Sequence, residues 1–326
     1  MIAPTPIIEL SVAYWKSRAF LAAIELGLFE AISPEGLPLE DTAKELKVPL
    51  SRLRPLAMAM VELELAEITD QGDLRPTPVA NIYLNPESPA SMIESMSYAR
   101  EMYPLWNDLE ERVKSEPPAG ATPTKADTPT FLMGMHNRAL MLSKAILPLI
   151  DIEPSAKTLD VAAGAGTWTW LLQKEKGLKM PTLMEQPELC SPMEEFIKGQ
   201  GLDGGHFLPG DYHQLNLEET FDAVLFFGAL HQDRHEDLES VLQKLWSATA
   251  PGGKLLILDI FAEVDGKDPL FPWLFGLNMM LTTVGSVFTL QEVLDAGKTL
   301  PELSESKTHS VQGDLPYALI ELQRAH

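Results

Sequence analysis

Between residues 12 and 29, Val12, Trp15, Ala19, Ala22, Leu26 and Phe29 recur at alternating spacings of three and four, the period of one helix face. Leu21, Ile24 and Leu28 add a second apolar face. A helix apolar on two sides needs two covers, its own domain and another subunit. Two shorter helical patterns follow over residues 39–46 and 50–63. Residues 66–77 then read as two strands, turned by Asp70, Gln71, Gly72 and Asp73. Helix, helix, hairpin is the order of a winged helix.

Near Glu116 the chain changes to SEPPAGATPTKADTPT, where Pro117, Pro118, Pro123 and Pro129 exclude regular helix. A loop is predicted there, between helices that join two domains. Beyond it strand and helix patterns alternate, as a parallel sheet requires. The strands read as 158–162, 182–185, 206–209, 223–227 and 254–260. Residues 236–250 form the clearest helix, which Pro251, Gly252 and Gly253 are predicted to stop. The fold class is therefore α/β, a Rossmann-like doubly wound domain preceded by a mainly α winged-helix domain. Residues 1–100 form the winged-helix dimerisation domain, 101–150 the linking helices and Pro-rich loop, and 151–326 the ligand-binding domain.

Length and composition agree with this division. A chain of 326 residues is long for one core, because domains run to about 100–200 residues. No apolar run reaches the roughly 18 residues of a bilayer span, and MIAPTPIIEL has neither a basic segment nor a small-residue cleavage site. The cytoplasm is the expected location. Cys190 is the only cysteine, which excludes an internal disulfide and a cysteine-cluster metal site; it reads as a small, partly buried apolar residue. A net charge of −22 repels polyanions, so neither nucleic acid nor an anionic membrane is an expected partner. The winged-helix region follows the same rule, with 12 acidic against 7 basic side chains in residues 11–90. A small neutral or weakly charged substrate fits better.

The candidate chemistry sits at the strand ends. The first strand of the second domain runs through Asp160 into Ala162, Ala163, Gly164, Ala165 and Gly166, and a helix begins near Thr167. A strand, a glycine turn and a helix N-terminus bring backbone N–H groups close to a ligand. A tight turn without a ligand reads the same way, so the signal needs support. Glu185 supplies it, 25 residues after Asp160 at the end of the next strand, where a carboxylate accepts both ribose hydroxyls of a nucleoside. Gly210, Asp211 and Tyr212 follow the third strand, where a carboxylate or ring could meet the adenine. No metal site is expected.

With these residues in place, the chain resembles the small-molecule O-methyltransferases that carry an N-terminal winged-helix dimerisation domain, found among plant phenolic and bacterial natural-product enzymes. WKSRAFLAAIELGLF, from Trp15 to Phe29, is similar to the family's opening helix. LDVAAGAG resembles its glycine motif, Glu185-Gln186-Pro187 its ribose motif and Gly210-Asp211 its adenine motif. AVLFFGALHQD and APGGKLLILD resemble its catalytic strand, helix and next strand. Leu277, Asn278, Met279 and Met280, with Thr289 and Glu292, resemble its substrate wall.

The resemblance implies S-adenosyl-L-methionine as cofactor, a small-molecule acceptor and a homodimer. It implies that His231 deprotonates the acceptor hydroxyl, a role suited to an imidazole with a reference pKa of about 6.5. His231 could also simply cap the next helix. Of the two acids that orient this histidine in plant relatives, Asp259 matches the first and Val287 falls at the second. Phe227 stands where plant relatives carry a lysine near the adenine, so stacking is expected there. Ala162 and Ala163 replace glycines and are expected at negative φ, which leaves Gly164 and Gly166 as the positions that must stay bare.

Met135 and His136, with Trp273, Asn278 and Met279, are the candidate acceptor-binding residues, although methionine and aromatic stripes also serve as plain core. Asp233 reads as a helix-start carboxylate and His235 as a solvated side chain. Two functions remain open: methyl transfer to a hydroxyl, or a relative that binds the cofactor without methylating, as a cyclase or binding protein.

Overall fold

The computed structural model describes residues 4–115, 128–179, 181–200, 205–311, 313 and 315–326. The chain divides into two compact units, Met1–Glu101 and Met102–His326. Segment 102–150 thus groups with the second unit. Pro117, Pro118 and Pro123 of the expected loop lie outside the described residues, and Pro129 falls in the first turn of a helix.

In the first unit α1 (Thr5–Val12) comes first, and the predicted single helix over residues 12–29 is two: α2 (Tyr14–Glu25) and α3 (Leu28–Ala31). Gly27 separates the last two with φ +71°, a left-handed turn that no helix accommodates. Helices α4 (Leu39–Glu45) and α5 (Leu50–Glu62), the antiparallel strands β1 (Ala66–Ile68) and β2 (Leu74–Pro76), and helices α6 (Pro78–Tyr83) and α7 (Ile93–Met102) follow. Leu28, Leu53, Ala57, Met60 and Leu74 are fully buried and form one core. Trp15 and Leu26, on the first of the two predicted faces, stay exposed together with Ile7, Ile8 and Leu10.

The second unit contains α8 (Leu109–Lys114) and α9 (Thr128–Ile146), then β3 (Thr158–Val161), α10 (Thr167–Lys176), β4 (Thr182–Glu185), α11 (Pro187–Gly199), β5 (His206–Pro209) and β6 (Phe221–Phe227). These are followed by α12 (Leu238–Ser247), β7 (Thr249–Ala262), α13 (Phe271–Thr282), β8 (Phe288–Thr289), α14 (Leu290–Gly297), β9 (Leu303–Ser310) and β10 (Tyr317–Arg324). The sheet order is β5-β4-β3-β6-β7-β10-β9, with β8 pairing β7. From β5 to β7 every pairing is parallel, and β10 returns antiparallel between β7 and β9. Pro251, Gly252 and Gly253 do not stop a helix as predicted. The helix ends at Ser247, and the three residues belong to the irregular start of β7. Here a proline and two glycines fit an irregular strand start outside the regular ladder.

Alternation explains why the sheet is buried on both faces. Val224, Phe226, Leu255, Ile257, Ile320 and Leu322 pack on one side with α12 and α14. Their neighbours Leu225, Phe227, Leu256, Leu258 and Leu319 pack on the other with α9, α10 and α13. A strand with both faces covered reads as an unbroken apolar run, as β6 does in AVLFF. Among the described residues, no helix is long and apolar enough to cross a membrane.

The glycine turn after β3 departs from expectation at one position. Ala162 has φ +56°, not the negative value predicted, so its methyl group sits in the left-handed region that costs an L-residue about 1–2 kcal/mol. Gly164 and Gly166 also have positive φ, and a Cβ on Gly166 would lie 2.2 Å from Ile197 Cδ1. Gly166→Ala is therefore expected to lose about 1–3 kcal/mol of stability through overpacking and backbone strain. Ala162→Gly should stay within about 1 kcal/mol of wild type, since relief of strain is offset by a more flexible unfolded chain. Urea unfolding of the two variants checks the contrast, and equal stabilities would contradict it.

Candidate active site

In the sheet order, the chain moves outward from β3 to β4 and β5, then returns to β6 on the other side of β3. Open parallel sheets place ligands outside the carboxyl ends of the strands at such a reversal. Asp160 and Glu185, at the ends of β3 and β4, are both buried. Thr169, one turn into α10, donates its hydroxyl to Asp160 Oδ2 at 2.6 Å. Glu185 accepts the backbone N–H of Gly164 at 2.7 Å and that of Gln186 at 2.7 Å, which ties the glycine turn to the ribose-motif strand.

Burial raises the pKa of both acids. Desolvation lifts Asp160 to about 7, against the Thr169 hydrogen bond and with help from the Glu185 charge. Desolvation raises Glu185 as well, opposed by the two backbone donors. The space beside Gly164 is open, with nothing within 4 Å of where its Cβ would stand. Two desolvated carboxylates beside bare backbone suit a ligand that brings hydroxyl donors and positive charge, as the ribose, ammonium and sulfonium of S-adenosylmethionine do.

The third acidic position is built differently. Asp211 spends Oδ1 on the His213 backbone N–H at 2.9 Å and on the His213 ring at 2.8 Å. Tyr212 is buried, with its ring edge-on to Phe226 and its hydroxyl donating to Asp233 at 3.0 Å. Asp233 is thus no helix-start carboxylate: the cap of α12 is Asp237, and Asp233 is drawn inward by two donors. Phe227 sets its ring edge-on to Trp168 at 5.6 Å.

His231 lies on a short turn, Leu230–Gln232, just after β6. The Gly228 N–H donates to Leu258 O on β7 at 2.7 Å, and this register sets Asp259 beside the turn. Asp259 Oδ1 meets His231 Nδ1 at 2.7 Å, and Oδ2 accepts the His231 backbone N–H at 3.2 Å. A carboxylate on Nδ1 places the proton there and leaves Nε2 as the basic nitrogen.

Helix α13 covers the pair: Phe275 stands edge-on to the His231 ring at 4.8 Å, and Met279 is buried in the same core. Gly285 completes the enclosure, because a Cβ there would lie 2.1 Å from the His231 carbonyl oxygen. Only a glycine lets that backbone approach. Val287 packs against Gly276 of α13 and joins the core, so among the described residues Asp259 is the acid that hydrogen-bonds the His231 ring. His235 is not simply solvated; it pairs with Glu292 at 3.3 Å and lies over Phe288.

The acceptor candidates separate. Asn278 accepts the Trp106 indole N–H at 3.3 Å. Trp273 is exposed, on a face of α13 that Phe275 and Met279 do not share. His136 is buried on α9, its Nδ1 3.0 Å from the Thr167 hydroxyl and its ring against Phe196; desolvation lowers its pKa. Its neighbour Met135 is half-buried. Sequence reasoning missed Phe275, although Phe271, Phe275 and Met279 recur at one helical spacing. It also missed Thr169 and His213, whose partners Asp160 and Asp233 lie nine and 20 residues away, and Trp106, 172 residues from Asn278.

An O-methyltransferase domain model matches residues 120–296, more than half of the chain. The chain belongs to this O-methyltransferase family. It is 27% identical over 304 residues to 3-hydroxy-5-methyl-1-naphthoate 3-O-methyltransferase of Streptomyces sahachiroi, covering 90% of this chain and 87% of that one. Against acetylserotonin O-methyltransferase of Gallus gallus it is 25% identical over 313 residues, covering 89% of each. The fold is that of human N-acetylserotonin methyltransferase, solved with SAM, at a TM-score of 0.84 and 19% identity over 99% of this chain and 97% of that one.

Asp160 has a direct consequence for stability. Its folded carboxyl titrates near 7 against an ordinary value of 3.8, so the native chain keeps a proton that the unfolded chain has released. The stabilisation is complete below the unfolded value and is lost as pH rises from about 4 to about 7. Asp160→Asn removes this slope. Urea unfolding at about pH 5 and about pH 8 should show the variant gaining stability relative to wild type at the higher pH; parallel curves would contradict the assignment.

Proposed function

We propose that this O-methyltransferase moves a methyl group from S-adenosyl-L-methionine to a hydroxyl of a small aromatic or polyketide-like molecule. The observation that carries the reading is the His231–Asp259 pair, enclosed by α13, with the His231 turn following β6, one strand from the buried Asp160 on β3 and two from Glu185 on β4. Bound there, the cofactor supplies an electrophilic methyl group on a positively charged sulfur.

The chain's own residues do the rest. Glu185 and Gln186 take the ribose, and the turn through Ala162, Gly164 and Gly166 admits the amino-acid end. Gly210, Asp211, Tyr212 and Phe227 border the adenine. Asp259 fixes the tautomer of His231, whose Nε2 accepts the acceptor's proton, and Phe275 and Met279 exclude water and hold a flat acceptor against the base. Proximity and in-line orientation supply much of the rate. Met135, His136, Trp273 and Asn278 complete the proposed acceptor wall. Partners are confined to the small-molecule acceptor and a second copy of the chain, in the cytoplasm, with no nucleic acid and no membrane.

The second copy is argued from the first unit, read as a winged-helix dimerisation domain. Ile7, Ile8, Leu10, Tyr14 and Trp15 are all exposed on α1 and α2, and a contiguous apolar surface of this kind marks an interface. Val287, apolar at the second orienting position, supports a second reading in which the cofactor is bound without methyl transfer.

Calorimetry should show one S-adenosylhomocysteine site per chain, weakened by about 1.5–3 kcal/mol in Glu185→Ala. No heat with either cofactor form would refute the reading. With an accepted phenol, His231→Ala should lower turnover by roughly 10²–10⁴-fold with cofactor affinity nearly unchanged. Cofactor binding without S-adenosylhomocysteine release across a phenol panel would favour the second reading. Light scattering should return twice the 36.0 kDa chain mass, and Trp15→Glu should shift it toward the monomer.

A further inference from the structure

Asp233 closes the turn that carries His231, and its backbone N–H donates to Leu230 O at 3.0 Å. Its side chain is buried, and Oδ1 accepts both the Tyr212 hydroxyl at 3.0 Å and His213 Nε2 at 2.6 Å. The other ring nitrogen of His213 meets Asp211 Oδ1 at 2.8 Å. A ring that donates from both nitrogens is an imidazolium. The two carboxylates hold its pKa up at about 9, against the desolvation that lowers it. Burial and the Asp233 charge raise the pKa of Tyr212, with smaller contributions from Asp211 and Glu185, so its hydroxyl stays a donor. Among the described residues, Asp233 Oδ2 is buried without a hydrogen-bond partner.

A lone turn residue gains nothing from a buried charge, which costs several kcal/mol unless it is paired. This one joins two segments that nothing in the local sequence brings together. One is the loop after β5, placed at the adenine in the proposed function, and the other is the turn after β6 that presents the base.

We propose that Asp233, linked through the His213 ring to Asp211, is a positioning residue that fixes the His231 turn to the loop after β5, so that cofactor held by that loop is felt at the base. The inference rests on the proposed function for its cofactor, but the linkage exists in the free protein.

The test labels the seven histidines of the full chain with nitrogen-15 and follows the ring signals of His213 and His231, each assigned by its own Gln variant. In the wild-type chain His213 keeps both ring protons until about pH 9, and S-adenosylhomocysteine shifts the His231 signals. Asp233→Asn should lower the His213 midpoint by about one unit or more. It should also move the His231 signals in the free protein and weaken S-adenosylhomocysteine about 5–10-fold. His213→Gln, at a half-exposed position, should reproduce the last two effects and serves where Asp233→Asn does not fold. Wild-type His231 signals and wild-type affinity in a folded variant would overturn the proposal. Failure of the wild-type chain to bind S-adenosylhomocysteine would instead overturn the proposed function, and the His231 signals of the free protein would still decide the linkage.

Discussion

The pairing of β3 between β4 and β6 is the constraint on which the rest of the site depends. Parallel strands end on one edge, and the chain leaves β3 in one direction before returning on its other side. Every polar group of the site is delivered by this arrangement. Asp160 and Glu185 come from neighbouring strand ends, His231 from the turn after β6, and Asp259 from the adjacent β7. Glu185 and the Gly164 amide it accepts are 21 residues apart, and His231 and Asp259 are 28.

Such convergence has an electrostatic cost. Asp160 and Glu185, gathered at one edge of a sheet that is covered on both faces, are poorly solvated, and their pKa values rise accordingly. Asp160 and Glu185 reduce the penalty with a threonine hydroxyl and two backbone amides, but not completely. Asp211 and Asp233 instead recruit His213 as a counter-charge. The two pairs show two solutions to one problem. The first leaves both carboxyls with raised pKa values, while the second joins the loop after β5 to the turn after β6 through the His213 ring.

Enclosure of His231 is steric. Phe275 and Met279 lie one helical turn apart on α13, and Gly285 lets the following segment press against the His231 carbonyl. Val287, packed on Gly276, belongs to this apolar wall and not to the polar network. Orientation of the imidazole therefore falls to Asp259, whose two oxygens hold both the ring and the backbone of the same residue.

Element types and their order were legible in the sequence because periodicity is a local property. The strand runs of β3 to β6, the glycine turn and the strand-end acids could be read from spacing alone, and the resemblance added the cofactor and the base. Tertiary structure decided what depends on neighbours distant in the chain. The left-handed Ala162 is held by the surrounding turn, and the irregular start of β7 by its sheet partners. Gly27 broke a helix that periodicity had joined, since an apolar repeat does not register a change of direction. Asp233 looked like a helix-start acid beside a run of charges. Only the packing of the loop after β5 against the turn after β6 turned it inward, because burial and pairing are properties of the assembled chain.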